Sequence, residues 1–189
     1  MGRARQAAAV AIDTSVVRYF YAAGFLAQLI GYLGQGVAVY DVQQEIKHQS
    51  ASRADLAAIL AGRGWPARLQ GTLTASEKAD ALRIQAEWIR EDRKKDPTKK
   101  PRPDEHLGEI STVLIADRTR TPMVAMDDGR GRALAGIRKI AVISSGGLAI
   151  EMTAEGALTL DEGWLVYDRA TSNATRSEFD RLVLDTSRG

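Results

Sequence analysis

Two patterns of apolar positions alternate along the chain. Short, evenly apolar runs read as buried strands, and stretches with apolar residues every three or four positions read as helices with one covered face. The first run, from Ala7, stops abruptly at Asp13 and predicts a strand over 7–13. Thr14 or Ser15 then caps a helix from Val16 to Tyr21, Gly24 marks a kink, and Leu26, Leu29, Ile30 and Leu33 give the next helix, Phe25–Leu33, its buried face. After Gly34-Gln35-Gly36, the run Val37–Tyr40 predicts a second buried strand, and Asp41 with Gln44 predicts the cap of a following helix.

Arg53–Leu60 reads as a further helix and Trp65–Leu73 as a short extended piece. Thr74 and Glu77 form a capping signature for a helix over Ala75–Arg90, whereas Glu91–Pro103 holds three prolines among dense charge and predicts a disordered loop. A helix is expected from Asp104 to about Thr119, then a strand Met123–Met126 opened by Pro122. Arg130–Ala135 reads as a short helix, Lys139–Ile143 as a strand, Ser145-Gly146-Gly147 as a turn, and Leu148–Leu158, Asp161–Ala170 and Arg176–Leu184 as helices. Strands alternating with helices predict an α/β fold with a mainly parallel sheet between helical layers.

A length of 189 residues fits one domain. With 44% hydrophobic and 26% charged residues and no apolar run of membrane-spanning length, the chain reads as a soluble, cytoplasmic protein. The basic, alanine-rich start is too short in its apolar part for a signal core. Cysteine is absent, which excludes disulfides, thiolate metal sites and cysteine nucleophiles, and the two histidines, His48 and His106, are too few and too far apart for an imidazole-based zinc centre. Both read as exposed helical residues, and Trp65, Trp88 and Trp164 as core or interface, with Trp88 also placed to stack on a base. A bound metal must take oxygen ligands, which favours Mg²⁺ or Mn²⁺.

The net charge of +2 is unevenly spread: Arg90 to Arg102 holds seven Lys or Arg against three acids. A basic segment on an otherwise mildly acidic body suits a phosphate backbone, and Arg93, Lys94, Lys95, Lys99, Lys100, Arg102 and Arg130 are the candidate nucleic-acid contacts.

The chemistry concentrates in acids. Asp13 and Asp127-Asp128 each follow an apolar strand directly, so they project from the carboxyl edge of the sheet, where ligands bind in open α/β folds. Glu45 and Glu109 lie early on helices able to border that edge. Carboxylates crowded in one cleft raise each other's pKa unless a cation neutralises them. Divalent cations held there polarise a phosphodiester, with Thr14 and Ser15 orienting a water. Ser15 stands where a haloacid-dehalogenase phosphatase needs its second aspartate, and no glycine-rich phosphate loop follows the first strand.

The segments Val10-Ala11-Ile12-Asp13-Thr14-Ser15, Val42–Ile46 around Glu45, Leu107-Gly108-Glu109-Ile110 and Ala125-Met126-Asp127-Asp128-Gly129-Arg130 together resemble the PIN domain family. The resemblance runs from about Ala7 to Leu184 apart from an insertion at about 65–103, and implies a single domain over 7–185 with a three-layer α/β/α sandwich. It further implies a Mg²⁺- or Mn²⁺-dependent endoribonuclease whose catalytic and metal-holding residues are Asp13, Glu45, Glu109 and a member of the pair Asp127-Asp128. For the VapC-like bacterial branch it implies RNA as substrate, an antitoxin protein as partner, and homodimerisation. The rival expectation is a PIN-like module that binds RNA or protein without cutting.

Overall fold

A computed structural model describes residues 10–33, 40–52 and 72–188, with the single positions 54 and 57. Three strands, β1 (Val10–Ile12), β2 (Met123–Ala125) and β3 (Ala141–Ile143), form one sheet in that order, with both pairs parallel. Val10 pairs with Met123 and Met123 with Ala141, so the three carboxyl ends lie side by side. Residues 7–9 of the strand read over 7–13 lie outside the described residues, the strand read from Met123 to Met126 ends at Ala125, and Asp13 and Met126 extend the ladders through their amides, to Ala125 O at 2.9 Å and Ile143 O at 3.0 Å.

The described helices are α1 (Thr14–Ala23), α2 (Leu26–Leu33), α3 (Tyr40–Ser50), α4 (Ala75–Lys95), α5 (Leu107–Thr119), α6 (Gly129–Ile137), α7 (Ser145–Ala154), α8 (Leu160–Ala170) and α9 (Arg176–Ser187). The chain is thus a helix-rich mixed α/β protein with a small parallel sheet. Alternation along the strands sorts its side chains. Val10, Ile12 and Ala125 join a core with Phe20, Leu29, Ile46, Met152 and Phe179, while Ala11 and Val124 join a smaller one with Val113, Ala116 and Ala135. A third cluster, Ala81 and Ile84 against Ile110 and Leu114, seats α4 on α5.

Several elements differ from the sequence expectation. Tyr40, read as the end of a strand, opens α3, and Val37–Val39 lie outside the described residues, as do most of Arg53–Leu60 and all of Trp65–Leu73 except its last two. Asp41 therefore stands inside the first turn of α3 and is not its cap; its carboxylate accepts a hydrogen bond from the Ser111 hydroxyl on α5. The helix from Ala75 continues to Lys95 because Glu, Arg and Lys favour helix and basic residues suit a helix C-terminus. Residues 96–106 form a non-helical connection with turns at 97–98 and 103–106. Ser145-Gly146-Gly147 is the first turn of α7, since Ser144 caps it by accepting from Gly147 N at 3.0 Å. Among the described residues no helix is long and apolar enough to cross a membrane.

Candidate functional site

Asp13 sits at the end of β1 as the cap of α1, only 3% exposed. Its Oδ2 accepts from the Ser15 hydroxyl at 2.7 Å and from Ser15 N at 3.4 Å, while the buried Oδ1 has no hydrogen-bond partner among the described residues. Burial pushes the Asp13 carboxyl above the usual carboxylate range; hydrogen bonds from Ser15 and the Thr14 backbone oppose this, and the charge of Asp127 adds to it. Thr14, also buried, is the first residue of α1. The Ser15 hydroxyl, expected to orient a water, is committed to holding Asp13.

Asp127 follows β2 on the same edge, and its two oxygens accept from Ser145 N at 2.8 Å and Ser145 Oγ at 2.5 Å, where α7 begins beyond β3. Asp13 and Asp127 are thus both held by hydroxyl and amide donors. Asp128 plays a different part, because its Oδ1 caps α6 by accepting from Arg130 N and Gly131 N, each at 2.9 Å. Of the pair, Asp127 is the acid whose charge acts on Asp13.

Glu109 lies in the first turn of α5, where the helix dipole favours a carboxylate. A Cβ on Gly131 would come within 3.3 Å of Glu109 Cβ and 2.7 Å of Met126 Sδ, so the missing side chain lets the first turn of α6 close on Glu109. Glu45 lies on α3, with its side chain outside the described structure.

A second charged cluster lies beside this edge. Asp92, near the end of α4, accepts from Lys99 Nζ at 3.0 Å and Arg130 at 2.6 Å, and pairs with His106 Nε2 at 3.1 Å. Lys99 also reaches Glu105 Oε1 at 2.6 Å. Hydrogen bonding from Lys99, then from His106 and Arg130, holds Asp92 well below its ordinary pKa against the opposing effect of burial. Burial raises Glu105, but Lys99, the Arg102 amide and His106 together bring the net shift downward. Ligand-type atoms of Asp92, Glu105 and His106 lie within 4.8 Å of one another, yet Lys99 and Arg130 already supply the cations there.

His106 departs from the exposed helical residue expected: it precedes α5 in a left-handed conformation (φ 66°), packed edge-on against Trp88 with ring centroids 5.5 Å apart. Arg130 donates to Trp88 O at 3.1 Å and lies 5.8 Å from the Trp88 ring centroid, which ties α6 to α4. Of the candidate nucleic-acid contacts, Lys99 and Arg130 are therefore held inside this network, whereas Arg93, Lys94, Lys95, Lys100 and Arg102 are exposed.

Sequence reasoning missed Ser145, Asp92 and Asp41. Ser145 carried a readable signal, a hydroxyl residue just past a strand end like Ser15 after Asp13. Asp92 and Asp41 carried none, because their partners come from distant segments. Comparisons with protein-family models, with curated proteins and with solved structures find no match.

Among the described residues, Asp13, Asp127 and Glu109 do not bring three ligand atoms within 4.8 Å of one another, as Asp92, Glu105 and His106 do; the chemistry of the sheet-edge acids nonetheless suits a hard cation. The donor set is made of oxygens, it includes a buried carboxylate whose pKa is raised, and Asp13 Oδ1 is free to accept.

Proposed function

We propose that the chain is a PIN-like, Mg²⁺- or Mn²⁺-dependent endoribonuclease with a three-layer α/β/α architecture, acting as the toxin of a toxin–antitoxin pair in the cytoplasm. The observation that carries this reading is the buried Asp13, its Oδ1 without a hydrogen-bond partner and its charge opposed by Asp127. A buried carboxylate raised by burial and by a neighbouring acid gains from a cation that neutralises it. Asp13, Asp127, Glu109 and Glu45 would hold the metal, with Asp128 bracing α6.

Bound there, the cation supplies charge neutralisation and Lewis-acid polarisation of a phosphodiester. The chain's own residues prepare that site. Ser15 fixes one oxygen of Asp13 and leaves the other available, Ser145 fixes Asp127 through two donors, and Gly131 lets the first turn of α6 approach Glu109.

The test is calorimetric Mn²⁺ titration of the wild type beside Asp13→Asn, with thermal unfolding and RNA cleavage of each. The wild type binds and cuts. Asp13→Asn does neither, and without metal it unfolds ~2–4 °C higher, about 1 kcal/mol gained from removing a buried charge while Asn keeps the cap. Cleavage by Asp13→Asn at the wild-type rate would sink the site. A folded wild type that binds no Mn²⁺, even with RNA present, would favour the non-catalytic RNA- or protein-binding module.

A further inference from the structure

The insertion that ends α4 is organised. Gln85, 6% exposed on α4, donates its amide to Pro103 O at 3.0 Å and Glu105 O at 2.8 Å, drawing residues 103–105 back onto the helix. Asp92 gathers Lys99 from the turn, His106 from its far end and Arg130 from α6. His48 on α3 meets Asp104 at 2.9 Å. The strap formed by residues 96–106 is thereby tied to α3, α4 and α6. The acids Asp92 and Glu105 are turned to Lys99, while Arg93, Lys94, Lys95, Lys100 and Arg102 remain exposed. Arg130, which belongs to the network, stands two residues after Asp128 and so joins this basic surface to the acidic edge.

We propose that the last turns of α4 and the strap form a preorganised surface for the backbone of single-stranded RNA, held in place beside the acidic edge by Asp92. The inference rests on the ribonuclease reading and specifies how the substrate is held. Charge complementarity supplies the attraction, and the tethers remove part of the ordering cost that a loose basic loop pays on binding. Asp92 is a positioning residue: it touches no phosphate, and its negative charge alone would repel RNA.

The probe is a fluorescein-labelled, ~12-nucleotide single-stranded RNA, a length one such surface spans. Its anisotropy is followed in EDTA from ~50 to ~200 mM salt, so that no metal takes part. In the combined variant Arg93→Gln, Lys94→Gln, Lys100→Gln and Arg102→Gln, affinity falls at least ~10-fold at low salt and the logarithmic salt slope drops by ~2–3. Asp92→Asn binds severalfold more weakly although losing a negative charge raises its net charge by one, and Gln85→Met, which alters no charge, shifts in the same direction. Thermal unfolding verifies that each variant is folded.

Unchanged affinity in the combined variant overturns the surface. Tighter binding by folded Asp92→Asn together with unchanged binding by Gln85→Met overturns the positioning role, and tighter binding of single-stranded DNA of the same sequence overturns the assignment to RNA. Salt-dependent binding by a wild type that cuts nothing in Mn²⁺ upholds the surface and overturns the nuclease reading. Cleavage with unchanged binding in the combined variant does the reverse.

Discussion

Asp13 and Asp92 stand in crowded surroundings that displace them in opposite directions. Burial governs Asp13 and raises it, while donors from Lys99, His106 and Arg130 govern Asp92 and lower it. Asp127, for its part, depends on one residue, Ser145, for both of its described hydrogen bonds. Ser145→Ala removes the stronger donor from a residue that is itself fully buried, so it should cost about 1–2 kcal/mol in urea unfolding and weaken Mn²⁺ binding. Unchanged stability would mean that Asp127 finds another donor. Asp13 and Asp127 were legible in the sequence because each directly follows an apolar run. That Asp128, and not Asp127, caps α6 was not legible, since either carboxylate could reach the helix start.

Among the elements, caps were the most readable signals. The Thr74–Glu77 box starts α4 where it was expected, through Glu77 N to Thr74 Oγ1 at 3.3 Å and Thr74 N to Glu77 Oε2 at 2.7 Å. Helix ends were less readable, because charge-rich composition suits a solvated helix as well as a loop; the end of α4 is the case in point. The α7–α8 seat was invisible in the sequence, as it depends on the missing side chain of Gly163. A Cβ there would lie 1.9 Å from Thr153 Oγ1 and 2.9 Å from Phe179 Cζ. Gly163→Ala should therefore destabilise by about 1–3 kcal/mol, and Thr153→Ala in the same chain should restore part of the loss. Equal thermal unfolding of Gly163→Ala and wild type would show that the helices separate freely.

At the scale of the molecule, the Asp92 network makes stability depend on acid. A lowered carboxyl pKa means that the unfolded chain takes up the proton first, so this contribution is complete above about pH 4 and fades as the pH falls. Urea unfolding at pH 7 and about pH 3 should show a smaller acid loss for Asp92→Asn than for wild type, by about 1 kcal/mol, a figure kept low by partial exposure. An equal loss in both would show that the network does not stabilise the fold. The α/β class was legible from alternating strands and helices. The tying of residues 96–106 was not, because it joins charges from separate parts of the chain.

The sheet register also has a consequence for how the chain is made. β1 has no partner in this sheet until Met123 has left the ribosome, and β3 comes later still. Among the described residues β1 pairs only with β2, and such long-range parallel pairing is slow to form. At three residues each, β2 and β3 offer a stray strand little to grip, so the brevity that keeps them small also guards the nascent chain against misassembly.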